Sequence, residues 1–321
     1  MEKKLVSLGV IAVLSLTLGI ADGNAQQAAS PSSPVTLKVG WAPGSASDLG
    51  ARALAESTQK YLGQRIIVEN VVGGGSARAA TQIARAKPDG QNLLFTAFGI
   101  LTQPHLEEVP YKPLEDFVPV LQVGGYPELL VVGAESPFKS LKEFLDYAKA
   151  NSGKVRIATS GFGSAPDIAG RLLERAAGVQ FTSVPYNSGA AGVAAVMGGH
   201  LEAAFSTSGA TYGLIKSGKL RSFGLTLPER YLGMPDIPTF KEQGFDVNLL
   251  GWWAIVAPKG TPESIVQAID AAFRKGMENA PYTTVMEAAH QPITYLGPKD
   301  LANVWKQQYS TFGEMLKSAK K

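Results

Sequence analysis

At 321 residues the chain is too long for one small core and suits two units of ~100–150 residues each. Its 45% apolar and 18% charged residues exclude a disordered chain, and the net charge of +3, spread without a Lys/Arg block, argues against a nucleic-acid partner. The absence of cysteine removes disulfides, thiol catalysis, Cys-based metal sites and a lipid-anchored cysteine.

The first residues read as an export signal. Lys3 and Lys4 precede an apolar run from Leu5 to Ile20, and Asp22-Gly23-Asn24-Ala25 supplies small residues at cleavage spacing. The predicted cut falls after Ala25, which places the mature chain in the periplasm with residues 26–34 as a flexible lead-in. Strand-like and helix-like stretches then alternate. Val35 to Trp41 is β-rich and ends in Ala42-Pro43-Gly44. Ala51, Leu54, Ala55, Thr58 and Leu62 share one helical face that Gly63 terminates. Arg65 to Asn70 is a strand, Gly73-Gly74-Gly75-Ser76 a break, Ala77 to Ala86 a helix and Leu93 to Ala97 a strand. This βαβαβ order predicts a parallel sheet with helices on both faces.

A stretch with prolines at 104, 110, 113 and 119 reads as irregular, and Leu129 to Val132 as a strand. Ser140-Leu141-Lys142-Glu143 is a capping box. The strand Val155 to Thr159 opens into Ser160–Asp167 and a helix carrying Ile168, Leu172, Leu173 and Ala176. Phe181 to Tyr186, the loop Asn187-Ser188-Gly189, a helix to Met197 and the strand Leu201 to Phe205 complete a second α/β unit. Trp253 to Ala257 returns to strand, Thr261-Pro262 caps a helix over 263–277, and a last helix runs over 298–317. No period of 20–50 residues repeats, and the two halves share a style rather than a sequence. The expected layout is a signal peptide over 1–25, lobe I over 35–130, lobe II over 131–253 and a return to lobe I over 254–321.

The recurring event is a strand that ends in a Gly/Ser loop and runs into a helix: Pro43–Asp48, Gly73–Ser76, Ser160–Asp167 and Tyr186–Gly189. Helix N-termini present unpaired N–H groups and partial positive charge, and glycine admits close approach. Each loop alone also reads as an ordinary helix cap. Taken together, Pro43, Gly44, Ser45, Ala46, Ser47 and Asp48 with Ser160, Gly163, Ser164, Ala165 and Asp167 make a candidate anion site with no Lys or Arg. Aromatic walls are expected from among Trp41, Phe98, Phe162, Tyr186, Trp252 and Trp253, with Trp41, Phe162 and Tyr186 ranked first because each lies in or beside a Gly/Ser loop, and Asn187 follows Tyr186 in the last of these loops.

Other chemistries lack their signatures. Gly73-Gly74-Gly75-Ser76-Ala77-Arg78 is neither a dinucleotide fingerprint nor a P-loop. No serine sits in G-x-S-x-G, and His105, His200 and His290 share no ligand spacing. Asp48 and Asp167 are the acidic pair placed to face each other, yet both stand where helix caps belong. No metal, cofactor or catalytic residue is expected.

The order of motifs resembles the Bug-type receptors, the periplasmic binding proteins of tripartite tricarboxylate transporters. Trp41 to Asp48 with Ala51-Arg52 is similar to the family's P-G-G-x-x-D-x-x-A-R opening. Val68-Glu69-Asn70 before Gly73-Gly74-Gly75, and Ala86-Lys87-Pro88-Asp89-Gly90, resemble the stretches that follow it. So do Gly161-Phe162-Gly163-Ser164, Val184-Pro185-Tyr186 with Gly189, and Pro235 to Thr239 with Glu242-Gln243-Gly244.

The resemblance implies an α/β, two-lobed periplasmic-binding-protein fold (type II, Venus-flytrap), each lobe a mixed sheet flanked by helices, with two crossing strands as hinge. It implies capture of a small organic carboxylate by the loops at 43–48 and 160–167, and delivery by a monomer to cytoplasmic-membrane transporter subunits. Three departures stand out. Ser45 replaces a glycine, Asp167 stands where the family has histidine, and Ser206 lies where it often has aspartate. An acid beside an anion site repels a carboxylate unless it is paired, so a di- or tricarboxylate, an amino acid and an aromatic acid all remain open. A sensory subunit binding the same solute, or a periplasmic enzyme of this fold, are the alternatives from other classes.

Overall fold

The computed structural model describes residue 31 and residues 33–318. The export segment, its cut after Ala25 and most of the lead-in lie outside the described residues. The first unit runs β1 (Val35–Val39), α1 (Ala46–Leu62), β2 (Ile66–Asn70), α2 (Ala77–Ala84), β3 (Asn92–Ala97) and α3 (Gly99–Leu106). β4 (Phe117–Gly133) leads into α4 (Leu141–Ala150), β5 (Val155–Thr159), α5 (Ala165–Ala177), β6 (Phe181–Pro185), α6 (Gly189–Met197), β7 (Ala203–Thr207), α7 (Ser208–Lys216) and β8 (Leu220–Leu225). The chain returns through β9 (Leu250–Pro258), α8 (Glu263–Met277), α9 (Tyr282–Ala288) and α10 (Pro298–Ser318).

Local chemistry explains the well-read elements. α1 buries Ala51, Leu54, Ala55, Thr58 and Leu62, the face that the apolar spacing predicts, and Gly63 ends it at φ +71°. Fully burying a side chain such as Leu54 contributes ~1.5–3 kcal/mol relative to leaving it exposed. Ser140 caps α4 by accepting from the Glu143 amide at 3.2 Å, while the Glu143 carboxylate accepts from Lys139, one residue before the cap.

The lobe I sheet has the order β2-β1-β3-β9-β4, with β1, β2 and β3 parallel and β9 antiparallel to both β3 and β4. In lobe II β5 pairs parallel with β6 and β7, and β4 pairs antiparallel with β7 and β8. β4 therefore belongs to both sheets. Its rungs on β9 end at Pro127↔Leu250, and those on β7 begin at Glu128↔Thr207. Beside it, Thr226 bonds Glu128 through its N–H and its hydroxyl, and Leu249 bonds Thr226 in turn. Along the lobe II half of β4 the side chains alternate between two cores: Leu130 and Val132 join one, Leu129 and Val131 the other.

The prolines misled the sequence reading. The stretch read as irregular contains α3 and most of β4, which runs on through Pro119 and Pro127. β4 tolerates Pro119 because its register shifts between Pro119 and Leu121. α7, β8 and α9 were likewise absent from the sequence reading. Thr261 is not the cap of α8: Pro262 holds that position, and the Thr261 hydroxyl donates instead to the Pro258 carbonyl. No described helix is long and apolar enough to cross a membrane.

Candidate functional site

In a parallel α/β sheet ligands bind beyond the carboxyl ends of the strands. At that edge of lobe I, β1 turns through Gly44 (φ +80°) into Ser45, whose hydroxyl accepts from the Asp48 amide at 3.3 Å to cap α1. Asp48 turns back and accepts from the Gly44 amide at 2.8 Å and from Arg52 Nε at 3.1 Å. Asn70, at the end of β2, donates to Asp48 at 2.8 Å and to the Trp41 carbonyl at 2.9 Å, and accepts from Arg52 at 2.7 Å. Burial opposes the charge on Asp48, but Arg52, the Gly44 N–H and Asn70 outweigh it and hold the carboxyl below the usual value of 3.8.

Lobe II repeats the device. Gly163 (φ +72°) precedes Ser164, which caps α5 by accepting from the Asp167 amide at 3.4 Å. Asp167 accepts from the Gly163 amide at 2.9 Å, Arg171 Nε at 3.0 Å and the Ser183 hydroxyl at 2.9 Å. The two caps match in sequence, Gly44-Ser45-Ala46-Ser47-Asp48 with Arg52 and Gly163-Ser164-Ala165-Pro166-Asp167 with Arg171. They match in backbone too: Ser45 has φ −68° and ψ 159°, Ser164 φ −67° and ψ 161°. The two halves thus do share a sequence at this point, Gly-Ser-Ala-x-Asp-x-x-x-Arg. A search for periods of 20–50 residues passes over it because the copies stand a whole lobe apart. Asp167 brings no bare negative charge to the site, because Arg171 neutralises it, just as Arg52 neutralises Asp48.

What these caps leave over is backbone N–H. The Ser45 and Ser164 amides bond back to Ala42 and Gly161, and the Asp48 and Asp167 amides bond to the cap hydroxyls. The amides of Ala46, Ser47 and Ala165 carry no partner among the described residues, and Pro166 has no N–H to satisfy. Ser188 caps α6 by accepting from Ala191 and leaves the first amides of that helix in the same condition.

The lobes meet where α3, which begins at the carboxyl end of β3, reaches the lobe II loop. Thr102 Oγ1 donates to the Gly163 carbonyl at 2.6 Å, and a β-carbon on Gly163 would lie 2.4 Å from Leu106 Cδ1. Because β1 and β3 are parallel neighbours, the loop after β1 stands at this same edge. The two capped loops therefore border one interlobe boundary, with no hydrogen bond directly between them among the described residues.

The remaining expected residues divide. Pro43, Ser160, Phe162 and Asn187 are exposed on loops at that edge, Ala46 is exposed as the first residue of α1, and Trp41 and Tyr186 are half-buried. Phe98 does not wall a ligand with its ring. It is fully buried against Trp252 and Phe312, because it directly precedes α3, which packs on α10. Ser206 is also fully buried, beneath Gly189, where a β-carbon would lie 2.5 Å from its hydroxyl oxygen. Sequence reasoning missed Arg52, Asn70, Arg171 and Ser183 as anchors of the caps, and Thr102 and Glu128 at the boundary. The spacing of Arg four residues after each Asp was the available signal. A wide apolar hollow of about 810 Å³ beside Phe138, Tyr147 and Met197 lies at the opposite edge of the lobe II sheet, where β4 ends at Gly133.

The comparisons with known proteins agree with this architecture. The chain is 32% identical over 305 residues to a Cupriavidus necator protein described as "UPF0065 protein in gbd 5'region", covering 94% of this chain and 90% of that one. The solved periplasmic binding protein BugD superposes with a TM-score of 0.77 at 31% identity, covering 90% of this chain and 98% of BugD. MatC from Rhodopseudomonas palustris, solved with bound malate, superposes with a TM-score of 0.77 at 28% identity over 89% of this chain and 99% of MatC. The family model described as "Tripartite tricarboxylate transporter family receptor" matches residues 50–320. The chain belongs to that family and is a periplasmic solute-binding protein of its two-lobed α/β fold.

Proposed function

We propose that this chain captures a small organic carboxylate between its lobes and delivers it to the membrane subunits of a tripartite tricarboxylate-type transporter. The carrying observation is the duplicated cap. Each lobe neutralises its own aspartate with its own arginine and leaves N-terminal amides at the shared boundary. Amides from two lobes can hold an anion together only when the lobes close on it. Closure excludes water and strengthens each charge-assisted hydrogen bond, worth ~1.5–3 kcal/mol apiece. The malate bound by MatC supports this ligand class. In this reading Trp41, Phe162 and Tyr186 flank the ligand, lobe I takes residues 35–130 and 254–321, and the receptor works as a monomer freed by cleavage after Ala25. The aspartates act as positioning groups for the caps, not as a catalytic pair.

Thermal unfolding of the mature chain with malate, succinate, citrate, glutamate and benzoate tests the reading. An acid held at ~100 times its dissociation constant adds ~2.7 kcal/mol of stability. Ser164→Trp fills the boundary and is expected to abolish that gain while the chain still folds. If no acid raises the midpoint, or if Ser164→Trp responds as the wild type does, the proposal fails.

A further inference from the structure

Glu128 is fully buried, and neither of its carboxyl oxygens has a hydrogen-bond partner among the described residues. Burying a carboxyl without a partner is among the costlier things a fold can do, and such groups are ordinarily paired with a cation or several donors. Its place in the chain gives this meaning. Pro127 is the last residue of β4 paired in lobe I, and Glu128 is the first paired in lobe II, opposite Thr207 at the carboxyl end of β7. On the lobe I side, Trp253 stands level with Ala97, the last residue of β3, and faces Gly124, so Gly125 to Glu128 bridge the carboxyl edges of the two sheets. That bridge forms the floor between the two sheets at the edge from which both capped loops spring. The Tyr126 ring packs on Trp253, which lies 3.5 Å from the β-carbon position of Gly50 in α1, and so ties the floor to the lobe I cap.

The cations of the two caps do not answer Glu128. Arg52 and Arg171 are engaged by Asp48 and Asp167. The Thr226 hydroxyl that bonds the Glu128 amide donates its own proton to the Leu249 carbonyl. Burial raises the Glu128 pKa well above the usual 4.5, yet the neutral acid would still carry an unsatisfied O–H. Resting on the carboxylate-capture reading above, we infer that Glu128 is a specificity-determining residue that pairs with an ammonium group of the ligand, so that the receptor selects small acids that also carry a primary amine. An ammonium is compact, brings three donors and matches a lone carboxylate. A metal ion would require further oxygen ligands beside it. The amides of the two caps then hold the carboxylate end, and the floor reads the amine.

Matched pairs titrated calorimetrically into the mature chain test this: succinate with aspartate, glutarate with glutamate, propionate with β-alanine. In at least one pair the wild type is expected to bind the amine-bearing member ~10–100-fold more tightly, the effect of one charge-assisted bond. Glu128→Gln and the apolar Glu128→Met are expected to erase that preference and to bind the amine-free member as well as or better than the wild type. Their unfolding midpoints without ligand should be no lower than that of the wild type, since an unpaired buried acid has gone. A wild type that favours the amine-free member of every pair overturns the inference and leaves carboxylate capture standing. A preference that survives Glu128→Gln, or a Gln variant that weakens both members of a pair equally, also overturns it. If no member of any pair binds the wild type this inference falls, and carboxylate capture falls with it only if malate, citrate and benzoate also fail to bind.

Discussion

Asp48 shows how a side chain expected at a ligand site also has a structural task of its own. Its place after Gly44-Ser45 marks a helix start, and it is the acidic residue of the first turn of α1, behind the cap Ser45. What it does there is knit Gly44, Arg52 and Asn70 into one rigid turn, so that the loop amides stay aimed outward. That knot has a pH signature. The carboxyl is held below its usual value in the folded chain, so its stabilisation is fully present above an unfolded pKa of ~3.9 and is lost as pH falls through the folded value. Asp48→Asn is expected to cost ~1–3 kcal/mol at pH 7, the cost of stranding hydrogen-bonded partners of a charged group. Urea unfolding of variant and wild type from pH 7 to pH 2 should show the gap narrowing at the acid end. Curves that stay parallel throughout would refute this account of the knot.

At the scale of elements, the two capped helices are interchangeable units set in different lobes. Ser45 and Ser164 make the same bond to the third residue of their helices. Ser45→Ala and Ser164→Ala are each expected to lower stability by ~1 kcal/mol, and the double variant by the sum, since the two caps share no partner. Denaturant midpoints of the three variants check this, and a double variant far from the sum would show the caps to be coupled. The elements that the sequence concealed are those in which proline is accommodated by tertiary pairing. β4 keeps its ladder past Pro119 by a register shift, and α3 contains Pro104 yet packs on α10. Local propensity opposes both, and their partners lie far away in the chain.

For the whole molecule the question is what holds the lobes where they meet. Thr102 and Leu106 of α3 press on Gly163, so this contact couples the lobe II cap to lobe I. Gly163→Ala and Gly44→Ala both place a β-carbon at positive φ, at a cost of roughly 1–2 kcal/mol each. They differ in surroundings: nothing stands within 4 Å of the Gly44 position, whereas the Gly163 position overlaps Leu106. Gly163→Ala is therefore expected to hold the lobes further apart and to raise the radius of gyration of the mature chain in small-angle scattering, while Gly44→Ala leaves it unchanged. Equal radii for the two variants would remove α3 as the contact that sets closure.

The α/β alternation, the glycine-rich turns, the caps at Ser45, Ser140 and Ser164 and the buried face of α1 were all legible in the chain, because each is decided within about ten residues by backbone freedom, capping and apolar spacing. Tertiary structure alone decided the rest. It made β4 one strand shared by two sheets, sent the Phe98 ring into the core rather than the boundary, and brought Asn70 and Ser183 from neighbouring strands to the cap aspartates. It also left Glu128 without a partner among the described residues, a fact that no window of sequence contains. The physical reason is common to all four: they depend on which groups from distant parts of the chain end up within hydrogen-bonding or packing distance, and a linear pattern carries no distances between lobes.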